Sequence, residues 1–199
     1  MKHMVVVALV VFLLAGVCQV SPALAGHPHE RTGFFIGFGG GGGSATFQDA
    51  GSRTGGAVGN FRIGYAVAPN LTIGLESSAW LKREEYGVVG LGSATATWVF
   101  SVATFGATFF PGNNGPYIKA GVGFGTASVE TEATIFGLGT GSLKIDDSGF
   151  GILGAVGYEA RLTPKFALGP EIEFAYMNVG GDLQSANYVS GSLMFSWYW

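Results

Sequence analysis

The last eleven residues of the chain, 189–199, read Val-Ser-Gly-Ser-Leu-Met-Phe-Ser-Trp-Tyr-Trp. Bulky apolar side chains occupy every second position toward the end of this stretch, at Leu193, Phe195, Trp197 and Trp199. A period of two places alternate side chains on opposite faces of a β-strand. The stretch therefore predicts a strand with one large apolar face and one face of smaller or more polar side chains.

Seven segments upstream repeat this alternation, so the sequence predicts eight strands in all. They lie at residues 33–38, 60–65, 71–76, 94–110, 118–125, 149–159 and 166–174. The orientation of the run 94–110 is ambiguous, and a bulge within it is one explanation. A second bulge is expected at Pro170, because proline cannot donate a hydrogen bond to the ladder of a closed sheet.

The connections between these segments alternate in length. Short turns with Pro or Asn lie at residues 67–70, 111–116 and 162–164, whereas longer and more polar connections lie at 44–56, 82–93, 131–148 and 179–185. All short turns would then fall at one end of the sheet and all long connections at the other. This layout is typical of an up-and-down β-barrel that crosses a membrane.

Composition indicates which face points outward. Hydrophobic residues make up 48% of the chain and charged residues only 12%, about half the usual charged share. The face of Gly, Ser and Thr carries too few charges to cover a soluble protein. We therefore predict that residues 33–199 form an all-β, eight-stranded antiparallel transmembrane barrel with its apolar face toward lipid. Eight strands leave an interior that side chains fill, so a packed core is expected instead of a pore.

The same alternation turns charged side chains into this interior. The predicted interior set is Arg62, Glu76, Lys119, Glu159, Arg161, Glu171 and Glu173. An unpartnered charge inside a narrow barrel is very costly, so these groups are expected to pair in a structural network. A path for protons or ions, or a gate, is the functional alternative.

The N-terminal residues 1–25 have the features of a cleaved signal peptide. Lys2 gives a positive start, residues 5–17 are apolar, and Ala23 and Ala25 supply a small-residue cleavage site. The apolar run is short for a transmembrane helix, which needs about 20 residues, although a retained anchor helix is the alternative. Cleavage would leave residues 26–32 as a short leader and would remove Cys18.

Several function classes are disfavoured by the inventory of side chains. A net charge of −3 without a basic patch argues against nucleic acid as a partner. The three histidines, His3, His27 and His29, lie away from every predicted strand and long connection, so a hydrolase with a His-activated Ser is not expected. His27 and His29 could bind a metal, but a flexible polar leader is the favoured interpretation. We expect no catalytic, cofactor or metal site.

Two segments carry a resemblance to a known family. The alternation of Leu193, Phe195, Trp197 and Trp199 resembles the C-terminal strand signature of bacterial outer-membrane barrels, although Phe is the commoner last residue there. The Gly33-Phe34-Phe35-Ile36-Gly37 segment looks like the first strand of small OmpA- and OmpX-type barrels. The resemblance implies a location in the bacterial outer membrane, contact with its lipid, and recognition of the C-terminal strand by the barrel-assembly machinery.

The expected function is non-enzymatic. The barrel would serve envelope structure, or surface interaction through a partner bound at the long connections, of which 131–148 is the longest. The alternative is a binder or conduit for small hydrophobic molecules, as in OmpW-like barrels. Aromatic residues near strand ends, among them Trp98, Trp197 and Trp199, are expected to form a girdle at the membrane interface.

Overall fold

The protein is described by a computed structural model that covers residues 31–47, 52–88, 92–111, 115–135, 139–181 and 183–199. The predicted signal peptide with its cleavage site, and both His27 and His29, lie outside these residues. The strands are β1 Gly33–Phe47, β2 Thr54–Ala68, β3 Leu71–Val88, β4 Gly92–Phe109, β5 Pro116–Ile135, β6 Gly139–Tyr158, β7 Ala160–Arg161, β8 Phe166–Gly180 and β9 Gln184–Tyr198. Within the described ranges, no helix is long and apolar enough to cross a membrane.

The strands form one closed antiparallel ring. Strands β1 to β6 pair in sequence order, and β1 also pairs with β9, which pairs with β8. Strand β8 pairs with β6, from Phe150–Asn178 to Gly157–Glu171, and so closes the ring. The two-residue strand β7 also pairs with β8 and continues β6 beyond Glu159. The ring therefore has eight strands, and the predicted all-β, up-and-down antiparallel architecture is confirmed.

The ring is staggered along its axis. We start at Phe150 of β6 and move each time to the directly paired residue of the neighbouring strand. One full turn of the ring ends at Ala160, ten residues further along the same continuous strand. The path runs through Phe124, Ala103, Ser77, Phe61, Phe38, Phe195 and Leu168. In barrels of eight strands, the strands tilt by about 35–45° from the barrel axis, and side chains can fill the interior.

Large apolar side chains cover the outside of the ring. Phe124 is 76% exposed, Leu75 60% and Phe105 58%. The residues that alternate with them, among them Arg62, Lys119 and Glu171, are buried inside. The predicted orientation of the two faces is therefore the observed one.

The bounds predicted for the long connections, 44–56, 82–93, 131–148 and 179–185, are wrong. Most of these residues belong to strands, and β5 and β6 stay paired as far as Ile135 and Gly139. Strands β5 and β6 have 20 residues each, and β3 and β4 have 18, whereas the other four long strands have 15. Polar composition shows that a segment leaves the lipid, but it does not stop the backbone from pairing with a neighbouring strand.

The bulge considered for residues 94–110 is also absent. Strand β4 pairs with β3 and with β5 without a register shift from Gly92 to Phe109. Its inward face carries Phe100, Val102 and Thr104. The face was ambiguous in the sequence because the outer half of this strand places large apolar groups on its inward side.

The bulge predicted at Pro170 is wrong as well. Pro170 pairs with Leu193 of β9 without a shift. On the other side of β8, the ladder stops at Gly157–Glu171 and resumes at Ala160–Leu168 in the same register. The missing hydrogen bond is thus accommodated by a short gap in the ladder at Tyr158 and Glu159, which lie opposite Pro170 and Gly169.

An apolar cluster fills the half of the interior nearer the long strands, which the sequence did not predict. Its described members are Ala45, Val58, Trp80, Phe100, Val102, Ala127, Leu153, Ala175, Met177, Val179, Ala186 and Tyr188. The rings of Trp80 and Phe100 stack 5.4 Å apart. Trp98 packs against this cluster from inside, so its predicted place in an outer girdle is wrong.

Candidate functional site

Lys119 lies at the centre of a group of buried carboxylates in the other half of the interior. Its Nζ is 2.7 Å from Oε2 of Glu76, 3.0 Å from Oε1 of Glu171 and 3.4 Å from Oε2 of Glu173. The hydroxyl of Tyr117 donates a second hydrogen bond to Glu171, at 2.6 Å. One ammonium group therefore serves three carboxylates.

Arg62 and Arg31 hold the fourth carboxylate, Glu159. Arg62 Nη2 lies 3.4 Å from Glu159 Oε2, and Arg62 Nη1 lies 3.9 Å from Glu171 Oε2, so Arg62 links the two parts of the network. Arg31 Nε lies 3.1 Å from Glu159 Oε1, and its guanidinium lies 3.4 Å from the centre of the Phe110 ring. Tyr198 donates a hydrogen bond of 2.8 Å to Glu159.

Strand register brings these residues together. Arg62 and Glu76 are direct partners in the β2–β3 pair. Lys119 pairs with Ala155, which pairs with Glu173 on its other side, so Lys119 and Glu173 lie two strands apart at one level. Glu171 and Glu173 share the inward face because residues two positions apart lie on the same face of a strand.

Two residues need comment against the predicted interior set. Arg161 faces inward as predicted, 4.3 Å from the centre of the Tyr198 ring, but in the described chain its guanidinium donates to the carbonyl of Pro164 and forms no ion pair. Arg31, which the sequence assigned to the leader, is 1% exposed and lies inside the barrel. Arg31 lies before the first alternating segment, so the strand pattern could not predict its position. The one available signal was that the predicted interior set had more carboxylates than cations, which indicated a missing cation.

The chemistry available to this cluster is charge compensation. Each of the four carboxylates has at least one cation within 4.0 Å. In the described part of the chain, no group of three or more His, Cys, Asp and Glu side chains is arranged to hold a metal ion. Through their side chains the network thus joins strands β2, β3, β5, β8 and β9 with Glu159, which lies between β6 and β7, and with the residues before β1.

A second candidate site is the extension of the four longest strands. We call residues 82–88, 92–95, 128–135 and 139–146 the outer sheet; none of its described side chains is buried. It is paired throughout, from Val88–Gly92 to Ser128–Asp146. Strand β2 pairs with β3 only as far as Leu81, and β8 pairs with β6 only as far as Phe150. In the described chain, the outer sheet therefore has two edges without a neighbouring strand.

Local ion pairs run along these edges. Lys82 lies beside Glu84, Arg83 beside Glu85, and Lys144 beside Asp146. Hydrogen bonds from Lys82 and from Tyr86 hold the pKa of Glu84 below its ordinary value. Hydrogen bonds from Ser128 and Lys144 lower the pKa of Asp146 in the same way. The outer sheet holds three cations and five carboxylates (Glu84, Glu85, Glu130, Glu132 and Asp146), so its surface is acidic.

The C-terminal strand presents its aromatic face outward at the end with the short turns. Trp197 lies 5.1 Å from Phe166 and 6.3 Å from Phe38, measured between ring centres. Trp199 lies 5.8 Å from Phe34, and its backbone N–H donates to the carbonyl of that residue. Leu193 and Phe195 are exposed on the same face. Recognition of this strand by the barrel-assembly machinery stays a prediction.

A closed ring of eight strands, with apolar side chains outside and a buried ion-pair network inside, is typical of small outer-membrane β-barrels. The chain belongs to the family described as the outer membrane protein beta-barrel domain, whose model matches residues 10–196. Members of this family are bacterial outer-membrane proteins, so the predicted location and family are confirmed.

The solved structures of one protein, Ail, show the same fold. Ail, the attachment invasion locus protein of Yersinia pestis, aligns with a TM-score of 0.52 and 15% identity over 84% of this chain and 98% of Ail. A complex of Ail with the heparin analogue sucrose octasulfate gives 0.52 and 13% over the same shares. Neisserial surface protein A gives 0.49 and 13% over 85% of this chain and 99% of that one. Comparison with curated protein sequences gives no match.

Proposed function

We propose that this protein is a non-enzymatic, non-conducting outer-membrane barrel whose outer sheet binds a partner protein outside the cell. One observation carries the proposal: four neighbouring strands continue, fully paired, well beyond the length that a membrane requires. A transmembrane strand needs about 9–11 residues, whereas β5 and β6 each have 20. Serving envelope structure alone would not require this extension.

The height of the outer sheet follows from strand geometry. Twenty residues at about 3.3 Å each, tilted by about 40°, rise roughly 50 Å along the barrel axis, about twice the height of the apolar band of about 25 Å. The surplus places the outer sheet where a soluble partner can reach it.

The unpaired edges favour an extended peptide segment of the partner. An edge strand offers a row of free backbone N–H and C=O groups, to which another strand can add. The acidic surface favours a neutral or basic segment. Ail has been solved with a heparin analogue, but five carboxylates against three cations do not favour a polyanion here.

Shortening both outer hairpins together tests this function. Thr131 and Leu143 are direct partners, and so are Glu85 and Thr95, so replacing residues 131–143 and 85–95 each by a two-residue turn removes both edges and keeps the register. The membrane-inserted variant is expected to lose attachment of expressing cells to protein-coated surfaces. Ser142→Thr is the matched control, because it changes an uncharged side chain within the β5–β6 hairpin and leaves the charges and the backbone edge intact. Attachment by the shortened variant at the wild-type level would refute the proposal.

The filled interior supports the absence of conduction. Stacked Trp80 and Phe100 lie across one half and the ion-pair network across the other. Purified protein is therefore expected to show no steady conductance in planar bilayers. A stable open level would instead favour the alternative function, a conduit.

A further inference from the structure

Among the carboxylates of the network that the structure describes, Glu173 is the least compensated. Its carboxyl is 1% exposed. Oε2 accepts hydrogen bonds from Asn60 at 3.1 Å and from Lys119 at 3.4 Å, but Oε1 has no hydrogen-bond partner. Lys119 is closer to Glu76 and to Glu171 than to Glu173. An ionised carboxylate in this position would have one oxygen buried without a donor.

The surroundings of Glu173 add no second cation. The charged and titratable groups that face it are Glu76 from β3, Lys119 from β5, Glu171 from β8 and Tyr188 from β9. Arg62 lies 3.9 Å from Glu171, while Arg31 pairs with Glu159. Even with Arg62 counted, two cations meet three carboxylates in this part of the network. An uncompensated buried charge is very unfavourable, and a neutral acid avoids most of that penalty.

Buried hydroxyl groups also surround Glu173. Ser190 is its direct partner on β9, and Tyr188 lies two residues along the same inward face. The hydroxyls of Ser190 and Tyr188 have no partner at hydrogen-bond distance, and the hydroxyl of Ser78 lies near both Glu173 and Tyr188. A hydroxyl can accept a hydrogen bond from a carboxylic acid or donate one to a carboxylate, so these groups accommodate the neutral form, and the shortage of cations favours it.

We propose that Glu173 is a built-in proton site, whose carboxyl is the neutral acid at neutral pH. The proton balances the charge around Lys119 at the boundary between the ionic network and the apolar cluster. A second small cation is disfavoured, because the ammonium group of Lys119 already lies beside Oε2.

Infrared spectroscopy of the purified barrel in detergent at pH 7 tests the proposal. Exposed carboxyls are ionised at this pH, so a carbonyl band of a carboxylic acid reports a buried proton. Wild-type protein is expected to show this band, and Glu173→Gln to lose it. Its absence from the wild type, or its persistence in Glu173→Gln, would overturn the proposal.

Thermal unfolding in detergent supplies an independent readout. Glu173→Gln is expected to unfold at the wild-type temperature, since an amide replaces a neutral acid of the same shape. Glu171→Gln is the matched control and is expected to unfold at a lower temperature, because Glu171 accepts from both Lys119 and Tyr117. Equal losses in the two variants would overturn the proposal. So would a wild-type unfolding temperature that rises in sodium chloride over choline chloride at equal ionic strength, because a bound cation would then hold the charge.

Discussion

In the narrow interior of this barrel, a single cationic side chain contacts several buried carboxylates. Arg62 contacts Glu159, Glu171 and Ser196, which lie on three different parts of the ring. Lys119 has a comparable role for Glu76, Glu171 and Glu173. Replacement of either cation leaves buried carboxylates without compensation. The sequence predicted these residues as interior because each one occupies an inward position of an alternating segment.

Arg62→Ala is expected to lower the free energy of unfolding in detergent by about 3–5 kcal/mol, the cost of removing one partner from a buried ion pair. Urea-induced unfolding, followed by tryptophan fluorescence, measures the change. Arg83→Ala is the control, since Arg83 and Glu85 form a pair 3.4 Å apart that is 61% and 71% exposed, and exposed pairs contribute little. If Arg62→Ala were as stable as wild type, the network would have no role in stability.

The backbone at Gly169 is packed too closely for a side chain. A Cβ at this position would overlap the carbonyl oxygen of Tyr158, next to the gap in the ladder opposite Pro170. At Gly191, by contrast, a Cβ would meet nothing within 4 Å. Both residues lie in long strands of the ring, so they form a matched pair.

Gly169→Ala is therefore expected to lower the free energy of unfolding by about 1–3 kcal/mol, the usual cost of overpacking, or to prevent folding. Gly191→Ala should leave it unchanged or raise it by up to about 1 kcal/mol, since alanine restricts the unfolded chain. Unfolding of the two variants in the same detergent checks both values. Equal stabilities would show that the gap opposite Pro170 can widen without cost.

For whole strands, the sequence predicted their number well and their ends badly. Period-two alternation predicted all eight strands, because lipid outside and a packed interior impose opposite requirements on neighbouring residues. Strand ends were predicted poorly. Beyond the lipid both faces meet water, so alternation disappears at Glu130 or Leu143 although pairing continues. Length outside the membrane depends on cross-strand hydrogen bonds, which a local pattern does not report.

Strand β4 shows the same limit inside the membrane. Its inward face changes from Phe100 and Val102 to Thr104 and Thr108 along its length. The change follows the two halves of the interior, one apolar and one ionic. That division is made by residues from all eight strands and is not visible in any one of them.

At the scale of the whole molecule, closure is the property that stabilises the barrel. The β6–β8 ladder leaves no open edge within the membrane, so every strand there has two neighbours. The ion-pair network then joins β2, β3, β5 and β8 across the interior. Unfolding must break both the ladders and the network.

Heat-modifiable migration measures closure directly. The protein extracted from membranes is expected to migrate faster in a detergent gel when unboiled than when boiled, because a closed barrel resists the detergent and stays compact. Arg62→Ala should convert to the slower form at a lower temperature than Arg83→Ala. Identical migration with and without boiling would contradict a closed barrel.

The sequence by itself determined the class of protein, the number of strands and the face that each strand turns to lipid. These properties are local, because the two faces of a single strand contact different surroundings, lipid on one side and packed side chains on the other. Only the tertiary structure decided that Arg31 enters the barrel, that Arg161 contacts the Tyr198 ring instead of a carboxylate, and that Glu173 shares its cation with two other carboxylates. Those contacts join residues up to 128 positions apart, and their partners are fixed by the stagger of the closed ring.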